Sequence, residues 1–256
     1  MRFRPYIFLL VSLLFVLACT STEAQNDSSE DALDSVGTEA DTDSEEGSQA
    51  SRRRQLEQAL ERLNGDISDS PSRFHHGRAE VLFRLGRFKE AVRDFDAAIQ
   101  FGRPHDQDSC WERGLAQYYA GDFRGGRDQF SRFHGVDSLD IENGLWRFLC
   151  IAEDEGIAKA RETMLEYRRE VRNPFPALLA FYLNRGSADA VLEDARSDTS
   201  SAEELTVNLF YAHYYLGKYY EIIDQKDRAL THVREALKHE IRHFMYFCAE
   251  ADEKRF

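Results

Sequence analysis

Residues 79–98, AEVLFRLGRFKEAVRDFDAA, are repeated by residues 114–133, GLAQYYAGDFRGGRDQFSRF, at an offset of 35. Gly86-Arg87-Phe88 returns as Gly121-Asp122-Phe123, Ala79 as Gly114 and Phe95 as Phe130, and Arg93-Asp94-Phe95 is echoed by Arg127-Asp128-Gln129-Phe130. Apolar residues recur at helical intervals on both sides of each glycine, the pattern of two helices joined by a tight turn. A further copy lies at Leu216-Gly217, Tyr220, Ala229 and Ala236, about four periods from the first. That distance predicts two degenerate units between. Asn143 to Tyr167 supplies one, with Ala160 as its packing residue and Trp146, Leu149 and Ile151 on its first helix. Ala177 to Ala195 supplies the other, broken at Gly186, with Pro174 and Pro176 before it, where proline can open a helix without losing a bond. The small residue that seats each second helix then falls at Ala91, Gly126, Ala160, Ala190 and Ala229.

A period near 34 with two helices per unit resembles the tetratricopeptide repeat. In that family a small residue in the first helix admits the second, a glycine ends the first helix, and an alanine seats the second. The resemblance gives these roles to Ala79, Gly86, Ala91 and Ala98, and in the next unit to Gly114, Gly121 and Gly126. Phe133 stands where the next small residue belongs, and with Gly126 inside a helix it marks an expected irregularity. The fold expected is all-α: a solenoid of about five helix pairs over residues 51–256, with one continuous core and a concave face. A helix at Gln55–Leu63, with Leu56, Leu60 and Leu63 on one face, and the segment after Ile241 are expected to cap it. The competing reading is a generic helical bundle with chance similarity. Five prolines, 15 glycines and 31% charged residues favour helix under either reading.

Upstream, Arg2 and Arg4 precede an apolar run from Ile7 to Leu17 that closes on Val16-Leu17-Ala18-Cys19. About a dozen apolar residues fall short of the roughly 20 a spanning helix needs and suit an export signal. The closing tetrapeptide resembles the bacterial lipobox, which implies cleavage after residue 18 and lipidation of Cys19. An ordinary signal peptide with Cys19 incidental is the alternative. Residues 20–50 hold ten Asp or Glu and no Lys or Arg, so most of the net charge of −13 sits there. With Leu33 and Val36 as the sizeable apolar residues, this stretch is expected to be a disordered tether reaching on the order of 30 Å. An acidic partner-binding segment is the other reading. The expected organisation is therefore signal peptide 1–18, lipidated cysteine and tether 19–50, and helical domain 51–256. No basic footprint for nucleic acid is present. Cys110, Cys150 and Cys248 lack zinc-ribbon spacing and read as small buried hydrophobes, with one disulfide pair as the alternative.

His239-Glu240-Ile241-Arg242-His243 spells HExxH, the zinc-peptidase pattern of two imidazoles one helical turn apart beside a glutamate base. The repeat register puts residues 239–241 in the closing turn of a unit, which argues against a shared helix. An exported zinc metallopeptidase is accordingly the second reading, and no cofactor or metal is expected under the first. His75-His76 sits where the repeat family places aromatic residues facing core and groove, and reads as packing or groove-lining, with metal binding as the alternative. Mapping the repeat onto the chain gives a groove set of His76, Phe83 and Arg84, then Trp111, Leu115, Tyr118 and Tyr119, then Tyr214, Tyr215 and Lys218. Aromatic and arginine side chains are the usual interface anchors. Tyr118 and Tyr214 can equally bury between helices, and Tyr219 and Tyr220 read as core. The function implied by the resemblance is a non-catalytic, lipid-anchored envelope scaffold, like the tetratricopeptide lipoproteins that dock peptidoglycan hydrolases and envelope proteases. Its partners would be envelope proteins or peptides, or further copies of itself. Thr20 after the cysteine favours the outer membrane of a Gram-negative host, facing the periplasm.

Overall fold

The computed structural model describes residues 39–65, 71–102, 106–167 and 172–256. The expectations for the leader, for Cys19 and for the tether up to residue 38 lie outside the described residues. The chain divides into two units, Met1–Ser44 and Glu45–Phe256, and the second contains the whole hairpin array. It is all-α: the described residues contain helices and no strands. None of these helices is long and apolar enough to cross a membrane.

Helix α1 (Glu39–Gly65) begins well before residue 51, so the expected tether gives way to helix earlier than its composition suggested. Its apolar stripe is sparse: Leu60 is buried, while Leu56 and Leu63 are half-buried on the same side.

Five hairpins follow, and each pairs its own two helices. They are α2 (Pro71–Arg84) with α3 (Phe88–Gln100), α4 (Trp111–Tyr119) with α5 (Phe123–Val136), and α6 (Ile141–Glu155) with α7 (Ile157–Glu162). Next come α8 (Phe175–Tyr182) with α9 (Ala188–Arg196), and α10 (Ala202–Ile222) with α11 (Lys226–Leu237). The last helix is α12 (Phe244–Glu253). Successive first helices α4, α6, α8 and α10 also touch one another, and α10 reaches past the short α8 to α6.

The turns explain the hairpins. Gly86 and Gly121 sit at φ +75° and +79°. In each turn two backbone N–H groups fold back on the helix: Gly86 donates to Phe83 and Arg87 to Leu82, Gly121 to Tyr118 and Asp122 to Gln117. This double closure satisfies the last carbonyls of the first helix and needs a left-handed residue. Units four and five build the same closure on Asn184 (φ 58°) and Asp224 (φ 56°). The break expected at Gly186 therefore falls at Asn184, because asparagine and aspartate tolerate the left-handed region nearly as glycine does. Two of the second helices, α5 and α9, start on side-chain caps at Asp122 and Ser187, which accept from Gly125 and Ala190.

The small residues lie between helices, as the repeat reading requires. Ala79, Ala91, Ala98, Ala160, Ala229 and Ala236 are buried. A Cβ on Gly114 would come within 2.8 Å of the Phe130 ring, and one on Gly217 would meet Val233 Cγ2 at 3.0 Å. Two expectations fail. Ala190 is exposed, and the fully buried Val191 takes its place, because α8 is only 8 residues long and its unit is shorter than the others. Gly126 produces no irregularity: α5 runs unbroken, and the missing side chain lets α4 and α6 approach. A Cβ there would meet Cys150 Sγ at 2.8 Å and the Gly114 carbonyl oxygen at 3.3 Å. Phe133, where a small residue was expected, is half-buried at the edge.

Two glycine substitutions should therefore move stability in opposite directions. Gly77, inside α2, faces open space, so Gly77→Ala should gain up to about 1 kcal/mol from helix propensity. Gly126→Ala makes the same gain but overpacks a three-helix contact, a cost of about 1–3 kcal/mol that leaves it neutral to destabilised. Urea unfolding of both variants checks the ordering, and Gly126→Ala emerging as the more stable would disprove the close approach.

Candidate partner-binding face

The first helices of the hairpins turn aromatic side chains toward one another, and α12 lies across them. Its residues Phe244, Met245, Cys248, Ala249 and Asp252 are buried, spaced as one helical face. Phe244 packs on Phe83 of α2, with ring centroids 4.7 Å apart, and edge-on to Trp111 of α4. His243 caps the helix through Met245 N–H and stacks on Trp111 at 5.7 Å. Trp146 of α6, 1% exposed, touches Tyr118, Phe130, Tyr214 and Tyr215.

At the centre is a charge. Lys218 of α10 is fully buried, and its ammonium donates to Asp252 Oδ1 at 3.1 Å and to Glu221 Oε2 at 2.5 Å. It lies 4.8 Å from the centroid of the Tyr118 ring and 5.6 Å from that of Tyr119. Arg255 donates to Asp252 at 3.0 Å and pairs with Glu221 at 3.2 Å, which brings two cations and two anions together. The Tyr119 hydroxyl donates to Asp252 Oδ2 at 2.8 Å, and that of Tyr214 to the same oxygen at 3.2 Å. Burial depresses the Lys218 pKa, but the negative charges of Asp252 and Glu221 outweigh it and hold the ammonium well above its ordinary range. Burial likewise raises Glu221, yet Lys218 and Arg255 prevail and keep its carboxyl below the usual value.

The structure thus gathers the sequence-predicted set on one face but does not leave it open. Tyr118, Tyr214 and Lys218 are at most 2% exposed, and Phe83, Leu115 and Tyr215 are also buried. Trp111 and Tyr119 are half-buried, the first against His243 and the second bonded to Asp252. Arg84 is half-buried at the rim with its guanidinium 4.1 Å from the Phe247 centroid. Beside it opens a cleft of about 570 Å³ whose lining includes Arg52, Phe88, Phe247, Glu250 and Arg255. His76, 9% exposed, packs edge-on to Phe95 near Glu112. The segment after Ile241, expected to cap the array, packs as α12 on the last helix α11 and also sets Phe244 and Asp252 against side chains of α2, α4 and α10. Asp252 was missed for that reason. The signal was present: one lysine in the aromatic run Tyr214–Tyr220 requires a buried anion, and the final amphipathic helix carries one.

His239 and His243 share no helix. Residues 239–243 are irregular, and the two rings point into different neighbourhoods: His243 toward Tyr211 and Trp111, His239 toward His213. The HEIRH segment therefore lacks the paired imidazoles of a zinc-peptidase helix. His213 Nδ1 is 3.0 Å from His232 Nδ1. Burial, with the charges of His232 and His239, lowers His213 to about 4, and burial lowers His232 and His239 as well. No known protein-family model matches the chain.

Two predictions arise from this face. Lys218→Met leaves Asp252 and Glu221 with one fewer buried cation and should cost about 3–5 kcal/mol in urea unfolding. Adding Asp252→Asn should recover part of that loss, whereas additive losses would show that the two groups are not coupled. Because the histidines are depressed on folding, their contribution is intact above the unfolded value near 6.5 and is lost as pH falls toward 4. His213→Gln should flatten the dependence of the urea midpoint on pH between 6.5 and 4.5. An unchanged slope would refute the assignment.

Proposed function

We propose that this chain is a non-catalytic scaffold of the bacterial cell envelope, a tetratricopeptide-type helical-hairpin array tethered to a membrane through lipid on Cys19. One observation supports the reading most. Aromatic side chains of α2, α4 and α10 form a face that holds a helix, α12, by apolar contacts and one buried ion pair. A face that grips a helix of its own chain has the chemistry to grip a similar helix of a partner: amphipathic, aromatic at one end, with a carboxylate two turns on. The partner would be another envelope protein or peptide, or a second copy of this chain. Its outer-membrane, periplasm-facing location follows from the Cys19-Thr20 pair in a Gram-negative host.

The mechanism is local concentration. A lipid anchor fixes the array at a surface, and a partner helix competes there with a tethered internal one, so only ligands that outbid the local α12 are held. This arrangement favours partners delivered at high density and rejects weak ones.

Pull-down from envelope extracts tests the reading through variants of opposite sign. Asp252→Ala loosens α12 and should increase partner recovery several-fold. Trp111→Ala with Tyr119→Ala damages the face itself and should reduce recovery. If both variants enrich the same proteins in the same amounts as the parent, the inner face is not where partners bind.

A further inference from the structure

Away from the buried ion pairs, three side chains of different chemistry converge where the first two hairpins meet. His76 lies on α2, Cys110 immediately precedes α4, and Glu112 lies in the first turn of α4. One donor atom from each falls within 4.8 Å of the other two. His76 Nε2 is 3.7 Å from Glu112 Oε1, and His76 Nδ1 faces Glu80 Oε1, also at 3.7 Å. Cys110 is 2% exposed, and the side chains of His76 and Glu112 are 11% and 16% exposed. The group is screened from bulk water yet reaches the surface through Glu80, whose side chain is 45% exposed.

We propose that His76, Cys110 and Glu112 bind a divalent cation of the zinc class. Zinc accepts sulfur, imidazole nitrogen and carboxylate oxygen at about 2.0–2.3 Å, which sets donors of a tetrahedral site about 3.3–3.8 Å apart. The His76–Glu112 pair already has that separation, and the Cys110 sulfur needs a shift of about 1 Å to join it. Glu80 Oε1, 3.7 Å from Nδ1, would have to close by about half an ångström to accept the Nδ1 proton, the second contact that leaves Nε2 to face the metal. Three protein ligands leave a fourth position for water. On binding, the Cys110 thiol gives its proton to solvent and the sulfur takes the metal in its place. Burial is the main resistance to that loss, Glu112 and Asp106 add to it, and Arg113 opposes them; bond formation to the cation has to outweigh the sum. The cation would join α2 to the start of α4 and fix the angle between the first two hairpins. The sequence reading gave His76 a packing or groove-lining role from its place in the repeat; residues 76, 110 and 112 carry no ligand spacing, and only the fold unites them.

Cobalt(II) titration of the purified, metal-stripped full chain tests this. One equivalent should produce a thiolate-to-cobalt charge-transfer band in the near ultraviolet, and zinc should abolish it. Cys110→Ser should eliminate the band, Cys150→Ser should leave it unchanged, and Glu112→Gln should weaken cobalt binding at least tenfold. Absence of the band in the parent protein, or its survival in Cys110→Ser, would overturn the site. Should Cys110→Ser fail to fold, unaltered cobalt affinity in Glu112→Gln would overturn it equally.

Discussion

The ammonium of Lys218 is the constraint around which the rest of this molecule is arranged. A lysine buried among Tyr118, Tyr119 and Trp146 is tolerable only if anions accompany it into the interior. Glu221, one turn along the same helix, supplies one of them. Asp252, 34 residues away, supplies the other, and it can do so only if the chain returns and lays α12 across the inner face. Removing either partner of a buried pair of this kind is costly, because it strands the other charge without compensation. A purely aromatic face would accept α12 in several registers. The single charge, with two tyrosine hydroxyls on the same carboxylate, admits one.

That constraint also gives the array its form. The inner surface of a helical-hairpin stack is normally its exposed workplace, and here it is treated as interior. Tyr119 reaches Tyr214 across 95 residues of sequence, and Tyr215 donates to Glu142 across 73. The short fourth unit makes such contacts attainable, because the 8-residue α8 lets α10 pass to α6. Hairpin stacking sets the coarse path of the chain, and the aromatic centre with its charge decides how tightly that path closes.

Much of this architecture is legible in the sequence. Residues whose role is local announce themselves: Gly86 and Gly121 by the turn they permit, Ala91 and Ala229 by the room they leave, Leu56, Leu60 and Leu63 by their period. Legibility ends where two residue types can do one job. Asn184 and Asp224 make the same turn as glycine but look like ordinary polar residues in a sequence. Val191 rather than Ala190 is buried, since a one-residue slip in a weak unit leaves the apolar pattern almost intact. Residues read as groove-lining, such as Tyr214 and Lys218, are buried, because periodicity reports which side of a helix is apolar and not what lies against it. Only the charge balance between Lys218 and Asp252 carried that information.

Cys150 and Cys248 are free thiols with no exposure, one at the waist of the array beside Gly126 and the other on the underside of α12. Burial keeps both sulfurs from oxidants as long as the packing holds. On the side of Cys150 that faces Gly126, even a Cβ would come within 2.8 Å of the sulfur, so oxidation of that thiol requires the packing there to open. Each such opening in the presence of an oxidant would put the thiols at risk. The working lifetime of the molecule would be set less by its equilibrium stability than by how seldom those two sulfurs meet solvent.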